Sequence, residues 1–328
     1  MTNTVRIIGG ADVRHLLTVS RCIDAMSDAM QAYSNGVAQT PPRSITPLPG
    51  DGRYFGLMPG SADGRGLFGA KVVSLYTGNP ARGLPAIQGF VALADLETGA
   101  VKALVAGAAI TALRTAAASG LATQLLARQN AVSCGIFGTG VQAQAHIDAM
   151  LAVRPVRRFM IWGRDTERAR QFAAEQSVPE GVSVCATADP QEVAAADILC
   201  TVTASSEPVL LGRWVRPGTH INLVGAHSLK TREADSSLIA MSRLYVDATA
   251  SCASEGGDYM IPIEEGVIGA EAILGEIGEV AAGRLAGRQS ADEVTVYNSL
   301  GIVTQDLFAA EAVYQQALSA GIGLDVTL

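Results

Sequence analysis

The chain has 328 residues, of which 48% are hydrophobic, 17% charged and 5% aromatic, and its 24 Lys and Arg stand against 31 Asp and Glu for a net charge of −7. That balance speaks against a nucleic-acid backbone as partner. The 35 glycines show no triplet period, and the apolar fraction is high, which excludes collagen-like, low-complexity and disordered classes.

The length predicts two domains of ordinary size with ample buried core. Five cysteines (Cys22, Cys134, Cys185, Cys200, Cys252) are scattered and never spaced C-x-x-C, so neither a disulfide framework nor a structural zinc site is expected. The four histidines, His15, His146, His220 and His227, show no metal-ligand spacing. No signal-peptide pattern opens the chain, and no apolar stretch reaches the roughly 18 residues needed to span a bilayer. A cytoplasmic, metal-free protein with no membrane partner is expected.

In chain order, apolar residues at intervals of three and four predict one amphipathic helix over 11–33. Residues 43–105 carry short apolar runs separated by PG, DG, GNP and ETG, the signature of a hairpin-built, antiparallel sheet. The Ala-rich run TALRTAAASGLATQLLA predicts a helix over 111–127. From 131 onward, strand patterns such as AVSCGIF, RRFMIWG, ADILCTVTA and HINLVGA alternate with helical ones. That rhythm means βαβ units and a parallel sheet. A last helix is expected over 301–320, returning to the first domain.

At the end of the first strand of this α/β region stands Gly138-Thr139-Gly140-Val141-Gln142-Ala143, a G-x-G-x-x-A turn. The first glycine permits the strand-to-helix turn and the second lets backbone approach a pyrophosphate. The small third residue allows close helix packing, and the helix N-terminus supplies N–H donors. The next strand ends Gly163-Arg164-Asp165. A ribose-binding acid is usual there, whereas Arg164 suits a 2′-phosphate. Asp165 either serves the ribose or caps the following helix. NADP(H) is favoured over NAD(H).

Three cations, Arg43, Lys71 and Arg114, lie in otherwise apolar surroundings. A charge on a small-residue helix is costly unless paired, and Arg114 has no acid near it in sequence, so a bound anion is its expected partner. Two arginines and a lysine beside a dinucleotide site point to a small carboxylate. His227 follows the strand end INLVGA, where parallel sheets place their ligand crevice. It is either an acid–base group or a solvated side chain.

The motifs LMPG, GAKVVSLYTGNPARGLP, DLETGAVKAL, TALRTAAASGLAT, GTGVQAQAH, VGAHSLKTREAD, ASEGGDY, EIGEVAAGR and NSLGIVTQDL resemble the ornithine cyclodeaminase/mu-crystallin family over nearly the whole chain. The resemblance implies an α/β protein: a Rossmann dinucleotide-binding domain over 117–307, and an α+β substrate-binding and dimerisation domain over 1–116 and 308–328 that joins a homodimer. It implies that Arg43, Lys71 and Arg114 hold the carboxylate and nitrogen of an imine or amino acid, with Met58 and Leu300 facing it. Lys71 is the catalytic group expected from the resemblance, and His227, from its place at a strand end, is the second catalytic candidate, as a proton relay. Arg114 and Thr115 are implied to touch the cofactor, with Gly138 to Gln142 at the pyrophosphate and Gly163 to Asp165 at the adenosine ribose. Thr203, Val224, Gly225, Ala226 and Ser299 would line the nicotinamide side. Ornithine-cyclising members carry an acid just before the LMPG-like motif and an Asp where this chain has His227. Here Tyr54-Phe55-Gly56 is uncharged. The implied activity is therefore an NAD(P)H-dependent reductase of small α-imino acids, of the ketimine or pyrroline-2-carboxylate type, or an L-amino-acid dehydrogenase. The alternatives are ornithine cyclodeaminase and a non-catalytic binding protein.

Overall fold

The structure is a computed structural model that describes residues 4–327. Its elements in chain order are β1 (Thr4–Ile8), α1 (Gly10–Leu16), α2 (Val19–Ser34), β2 (Ala38–Gln39), β3 (Ser44–Pro47), β4 (Arg53–Ala62), β5 (Leu67–Tyr76), β6 (Ile87–Asp95), β7 (Val101–Ala106) and α3 (Gly107–Leu126). There follow β8 (Ser133–Phe137), α4 (Val141–Val153), β9 (Arg158–Trp162), α5 (Thr166–Ala174), β10 (Ser183–Ala186), α6 (Pro190–Ala194), β11 (Ile198–Thr201), β12 (His220–Leu223), α7 (Ser236–Met241) and β13 (Arg243–Val246). The chain closes with α8 (Thr249–Glu255), α9 (Gly257–Glu264), β14 (Ile273–Glu276), α10 (Ile277–Ala281), β15 (Thr295–Asn298), α11 (Val303–Ala320) and β16 (Leu324–Thr327). Two compact units result: one runs to Arg114 and resumes at Ile302, the other is Thr115–Gly301. A boundary at 308 would cut α11, which is continuous from Val303; the changeover lies just ahead of that helix.

The first unit is an eight-stranded mixed sheet ordered β16-β1-β7-β6-β5-β4-β2, with β3 also on β4. Strands β4 to β7 form the expected antiparallel meander, while β1 runs parallel to β7. The single helix expected over 11–33 is two helices. Leu17 is extended, and the Thr18 hydroxyl accepts from the Arg21 N–H as the N-cap of α2, so the cap residue restarts the helix at a new angle. Cross-strand partners Met58, Lys71, Val91 and Val105 share one sheet face and are all buried. Against the sheet lies α11, with α2 packed on α11. Because α11 is covered on both sides, Val303 to Ala310 are buried without interruption, the polar Thr304, Gln305 and Asp306 included. On the opposite sheet face Ile7, Phe55, Leu57, Phe68 and Phe90 stay 36–41% exposed.

The second unit is an all-parallel sheet ordered β10-β9-β8-β11-β12-β15-β13-β14. Its central strands are buried throughout, which is why they read as continuous apolar runs rather than alternating ones. The order reverses between β8 and β11, and a crevice opens outside their carboxyl ends.

One close approach sets the position of α11. A Cβ on Gly60 would stand 2.4 Å from Val303 Cγ1 and 2.7 Å from the Gln39 carbonyl oxygen, so only glycine lets the start of α11 lie on β4. Gly60→Val is expected to cost about 1–3 kcal/mol through overpacking and to displace the first turn of α11. A lowered midpoint in urea unfolding checks this.

Candidate active site

Lys71 lies mid-strand in β5, only 3% exposed. Its Nζ donates to Asp306 Oδ1 at 2.9 Å, and Arg114 Nε donates to the same oxygen at 3.1 Å. Arg114 Nη1 also donates to Gln305 Oε1 at 2.8 Å. The expectation that Arg114 lacks a protein acid is thus corrected: its partner is Asp306, 192 residues along the chain, on the first turn of α11. No local pattern could announce a pairing at that separation. The signal available was an Asp inside the apolar run GIVTQDLFAA, as anomalous as Arg114 itself.

Two cations share one carboxylate, so this buried pair keeps a positive charge in excess. Asp306 Oδ2 is buried without a hydrogen-bond partner among the described residues. Burial opposes ionisation of Asp306, yet Arg114 and Lys71 hold its carboxyl below the usual range. Burial brings the Lys71 ammonium down to about 8; Asp306 resists that shift, while Arg114 and Arg43 add to it. Arg43 stands half-buried just ahead of β3, and Met58 is the direct cross-strand neighbour of Lys71. Arg43, Met58, Lys71 and Arg114 all belong to the first unit.

In the second unit the glycine-rich turn joins β8 to α4. Gly138 has φ +127°, and a Cβ there would meet the Val202 carbonyl oxygen at 2.8 Å. Gly140 is the N-cap of α4, with open space where its Cβ would stand. Val141, the first helical residue, is 73% exposed, while Ala143 packs fully buried. The Gln142 carbonyl accepts from His146 Nδ1 at 2.8 Å, leaving Nε2 to accept from the Ser119 hydroxyl at 2.9 Å. A cleft of about 620 Å³ begins here, lined by Gly138, Thr139, Gly140, Arg164, Arg168 and Thr203 among others. Its shape and its helix N-terminus suit a pyrophosphate.

At the end of β9, Gly163 lies against Thr139, where an added Cβ would be 3.1 Å from the methyl group. Asp165 Oδ1 accepts from the Glu167 and Arg168 N–H groups, both at 3.0 Å. Asp165 thus caps α5. Arg164 is exposed at the cleft, and so is Arg168, one helical turn later, a residue the motif-based reading passed over.

The loops after β11, β12 and β15 hold the remaining candidates. Thr203 donates its N–H and its hydroxyl to Glu233 at 2.7 and 2.6 Å. Gly225 packs so tightly on Thr203 and Glu233 that a Cβ would lie 2.1 Å from the Thr203 carbonyl oxygen; this fold contact already accounts for glycine there. Val224 is half-buried and Ala226 buried, while His227 is exposed with Nδ1 3.0 Å from the Gly225 carbonyl oxygen. The N–H groups of Leu300 and Gly301 both donate to Asp247 Oδ2, and Leu300 itself packs into the core of the second unit. The Thr115 and Ser299 hydroxyls are buried without a partner among the described residues, an arrangement that calls for a ligand or water. Glu233 and Asp258 lie inside the motifs VGAHSLKTREAD and ASEGGDY but received no role from sequence reasoning, and Asp247 lies outside every motif. Among the described residues no cluster of three or more His, Cys, Asp or Glu is placed to hold a metal ion.

Comparison with known proteins places these features in context. The Delta(1)-pyrroline-2-carboxylate reductase of Bacillus cereus is 33% identical over 319 residues, spanning 97% of this chain and 98% of that protein. The solved structure of the Thermococcus litoralis Delta(1)-pyrroline-2-carboxylate reductase, in complex with NADH and L-proline, matches with a TM-score of 0.94 at 35% identity, over 98% of this chain and 100% of that one. An archaeal alanine dehydrogenase dimer with bound NAD matches with a TM-score of 0.92 at 31% identity, over 98% and 99% of the two chains. With the ornithine cyclodeaminase/mu-crystallin family profile matching residues 5–321, the chain belongs to that family.

Proposed function

We propose that this protein is an NADPH-dependent reductase of small α-imino acids, of the ketimine or pyrroline-2-carboxylate type, whose reverse reaction is oxidation of an L-amino acid. The observation that carries this is the buried Lys71–Asp306–Arg114 cluster. Its excess positive charge suits a carboxylate, and burial brings its ammonium down to about 8.

Arg114 has Nε on Asp306 and Nη1 on Gln305, so Nη2 is left for a substrate carboxylate oxygen, with Arg43 as second cation. Of the three Lys71 N–H groups one goes to Asp306, and another reaches the substrate nitrogen. When bound, the nicotinamide supplies the hydride for the imine carbon. Lys71 gives the proton that completes the amine at nitrogen and is recharged from solvent; His227, exposed on its loop, is the second acid–base group. Gly138 to Gln142 hold the pyrophosphate, and Thr115, Thr203, Val224 to Ala226 and Ser299 hold the nicotinamide end, with Leu300 closing the substrate side. Ornithine cyclisation is the weaker reading. Tyr54, Gly56 and Met58 share the Lys71 sheet face by register, and none of them offers a carboxylate to a second ammonium.

The substrate class is tested with Δ1-pyrroline-2-carboxylate, Δ1-piperideine-2-carboxylate, pyruvate with ammonia or methylamine, and ornithine, following NADPH and NADH absorbance. Stoichiometric cofactor oxidation with an imine supports the proposal. Reaction of ornithine alone, with no net absorbance change, sinks it. Lys71→Ala is expected to lower kcat by about 10²–10⁴-fold. In the wild type, kcat/KM for reduction should fall as pH rises through about 8, because the ammonium of the free enzyme is the donor. Amino-acid oxidation, which needs the free amine, should rise over the same range.

The cofactor preference rests on Arg164 and Arg168 at the cleft and on the use of Asp165 as a helix cap. A 2′-phosphate gains from two guanidinium groups, whereas ribose hydroxyls want an acceptor. The two solved relatives above hold NADH and NAD, so the preference is open to direct contradiction. Arg164→Ala should raise the KM for NADPH tenfold or more and leave that for NADH within about threefold. A wild type that prefers NADH removes the assignment.

The apolar sheet face of Phe55, Leu57, Phe68 and Phe90 supports a homodimer formed through the first unit, since patches of this kind mark interfaces. The unbridged cysteines support a reducing, cytoplasmic setting. Sedimentation should give twice the chain mass for the wild type and the monomer mass for Leu57→Lys/Phe90→Asp.

A further inference from the structure

Beneath the crevice of the second unit lies a carboxylate that the chemistry above leaves without a role. Glu233, between β12 and α7, is 0% exposed, and it forms no ion pair among the described residues. A buried carboxylate without a cation is costly unless its oxygens are fully hydrogen-bonded. Here four donors fill its four acceptor positions: Thr203 N and Oγ1 on Oε1, at 2.7 and 2.6 Å, and Thr201 Oγ1 and Gly225 N on Oε2, at 2.7 and 2.6 Å.

The donors come from two loops. Thr201 and Thr203 stand where β11 ends, and Gly225 lies just past β12, its neighbour in the sheet. Glu233 therefore stitches two adjacent strands together at the level where they splay into the crevice. Its own backbone is fixed: its N–H and that of Ala234 donate to Asp258 Oδ1, both at 2.9 Å, and its carbonyl accepts from Val209 and Leu210 N–H.

We propose that Glu233 is a positioning residue that sets the spacing of the Thr203 and Gly225 loops and so holds the nicotinamide end of the dinucleotide in place. The inference rests on the assignment of Thr203 and Val224 to Ala226 to that end of the cofactor. Because all four donors face the carboxylate, Glu233→Gln keeps its size but turns an NH2 group toward two of them. Glu233→Asp keeps the charge and withdraws it by one methylene. The carboxylate clamp of Lys71 and Arg114 belongs to the other unit and is unaffected by either change.

Binding of NADPH is measured by its fluorescence, and the KM for the imino acid at saturating NADPH. Wild type, Glu233→Gln and Glu233→Asp are compared as full-length chains. Glu233→Gln is expected to weaken NADPH binding tenfold or more and to lower kcat, with the imino-acid KM within about twofold; Glu233→Asp should regain part of the affinity. NADPH binding by Glu233→Gln within twofold of wild type overturns the proposal, as does an imino-acid KM that rises in step with the NADPH dissociation constant. If Glu233→Gln does not fold, Thr203→Val removes the 2.6 Å hydroxyl bond alone and must shift NADPH binding in the same direction. A wild type that binds neither NADPH nor NADH overturns the parent assignment and this one together, whereas failure in the variants alone overturns only the role of Glu233.

Discussion

A single oxygen, Oδ1 of Asp306, receives both the Lys71 ammonium and the Arg114 guanidinium in a place with almost no access to water. Each of the three charges would be costly alone, and removing one partner of a buried pair typically costs about 3–5 kcal/mol. The cluster forms only if the middle of β5, the first half of α3 and the first turn of α11 meet. That requirement explains why the chain leaves the first unit at Arg114 and sends its C-terminal helix back into it. It also explains Gly60, whose missing side chain makes room for Val303 three residues before Asp306. The positive excess left after pairing is what makes the cluster a candidate site rather than a structural salt bridge.

What the sequence disclosed follows the range of the interactions involved. The turn from Gly138 to Ala143 is local: strand, glycines and helix lie within a few residues, and Gly138 sits at φ +127°, a conformation that favours glycine. The hairpins of β4 to β7 were legible for the same cause, since turn residues and alternation are both local. Asp306 was not legible, because its partners are 192 and 235 residues away and pairing at that range leaves no spacing to read. The break at Leu17 was missed for another reason: the apolar period continues across it, and the cap at Thr18 outweighs the pattern. Arg114 shows the middle case. That it needed a partner could be inferred from burial alone, but the identity of the partner could not.

The acids of the second unit follow a different rule from Asp306. Glu233, Asp247, Asp258 and Asp165 each accept backbone N–H groups, and in each case the donating backbone belongs to a loop or a helix start. Rigid loops on a rigid sheet are what binding precision requires. Where the acceptor is shared, as in Glu233, one side chain extends the contact between two strands past the point where their ladder ends, at Thr201 and Val224. Burial pushes Asp258 up to about 7, with Glu233 nearby adding to the shift. Burial raises Glu233 as well, against the opposing hydrogen bonds from Thr203, Thr201 and Gly225.

This use of acids resolves an apparent contradiction in the charge. The chain carries −7 overall, yet both candidate binding regions present cations: Lys71 and Arg114 in one unit, Arg164 and Arg168 in the other. Net charge counts signs and says nothing of direction. Carboxylates that accept backbone N–H groups are spent inside the fold, where their hydrogen bonds replace water. Some basic groups are spent in the same way: Arg154 donates to the carbonyls of Thr123, Gln124, Ala127 and Arg128, and Arg288 to those of Leu126 and Glu293. Arg164 and Arg168 instead stand exposed at the cleft. A chain of net negative charge can therefore still present cations at an opening, because many of its acids serve as internal acceptors.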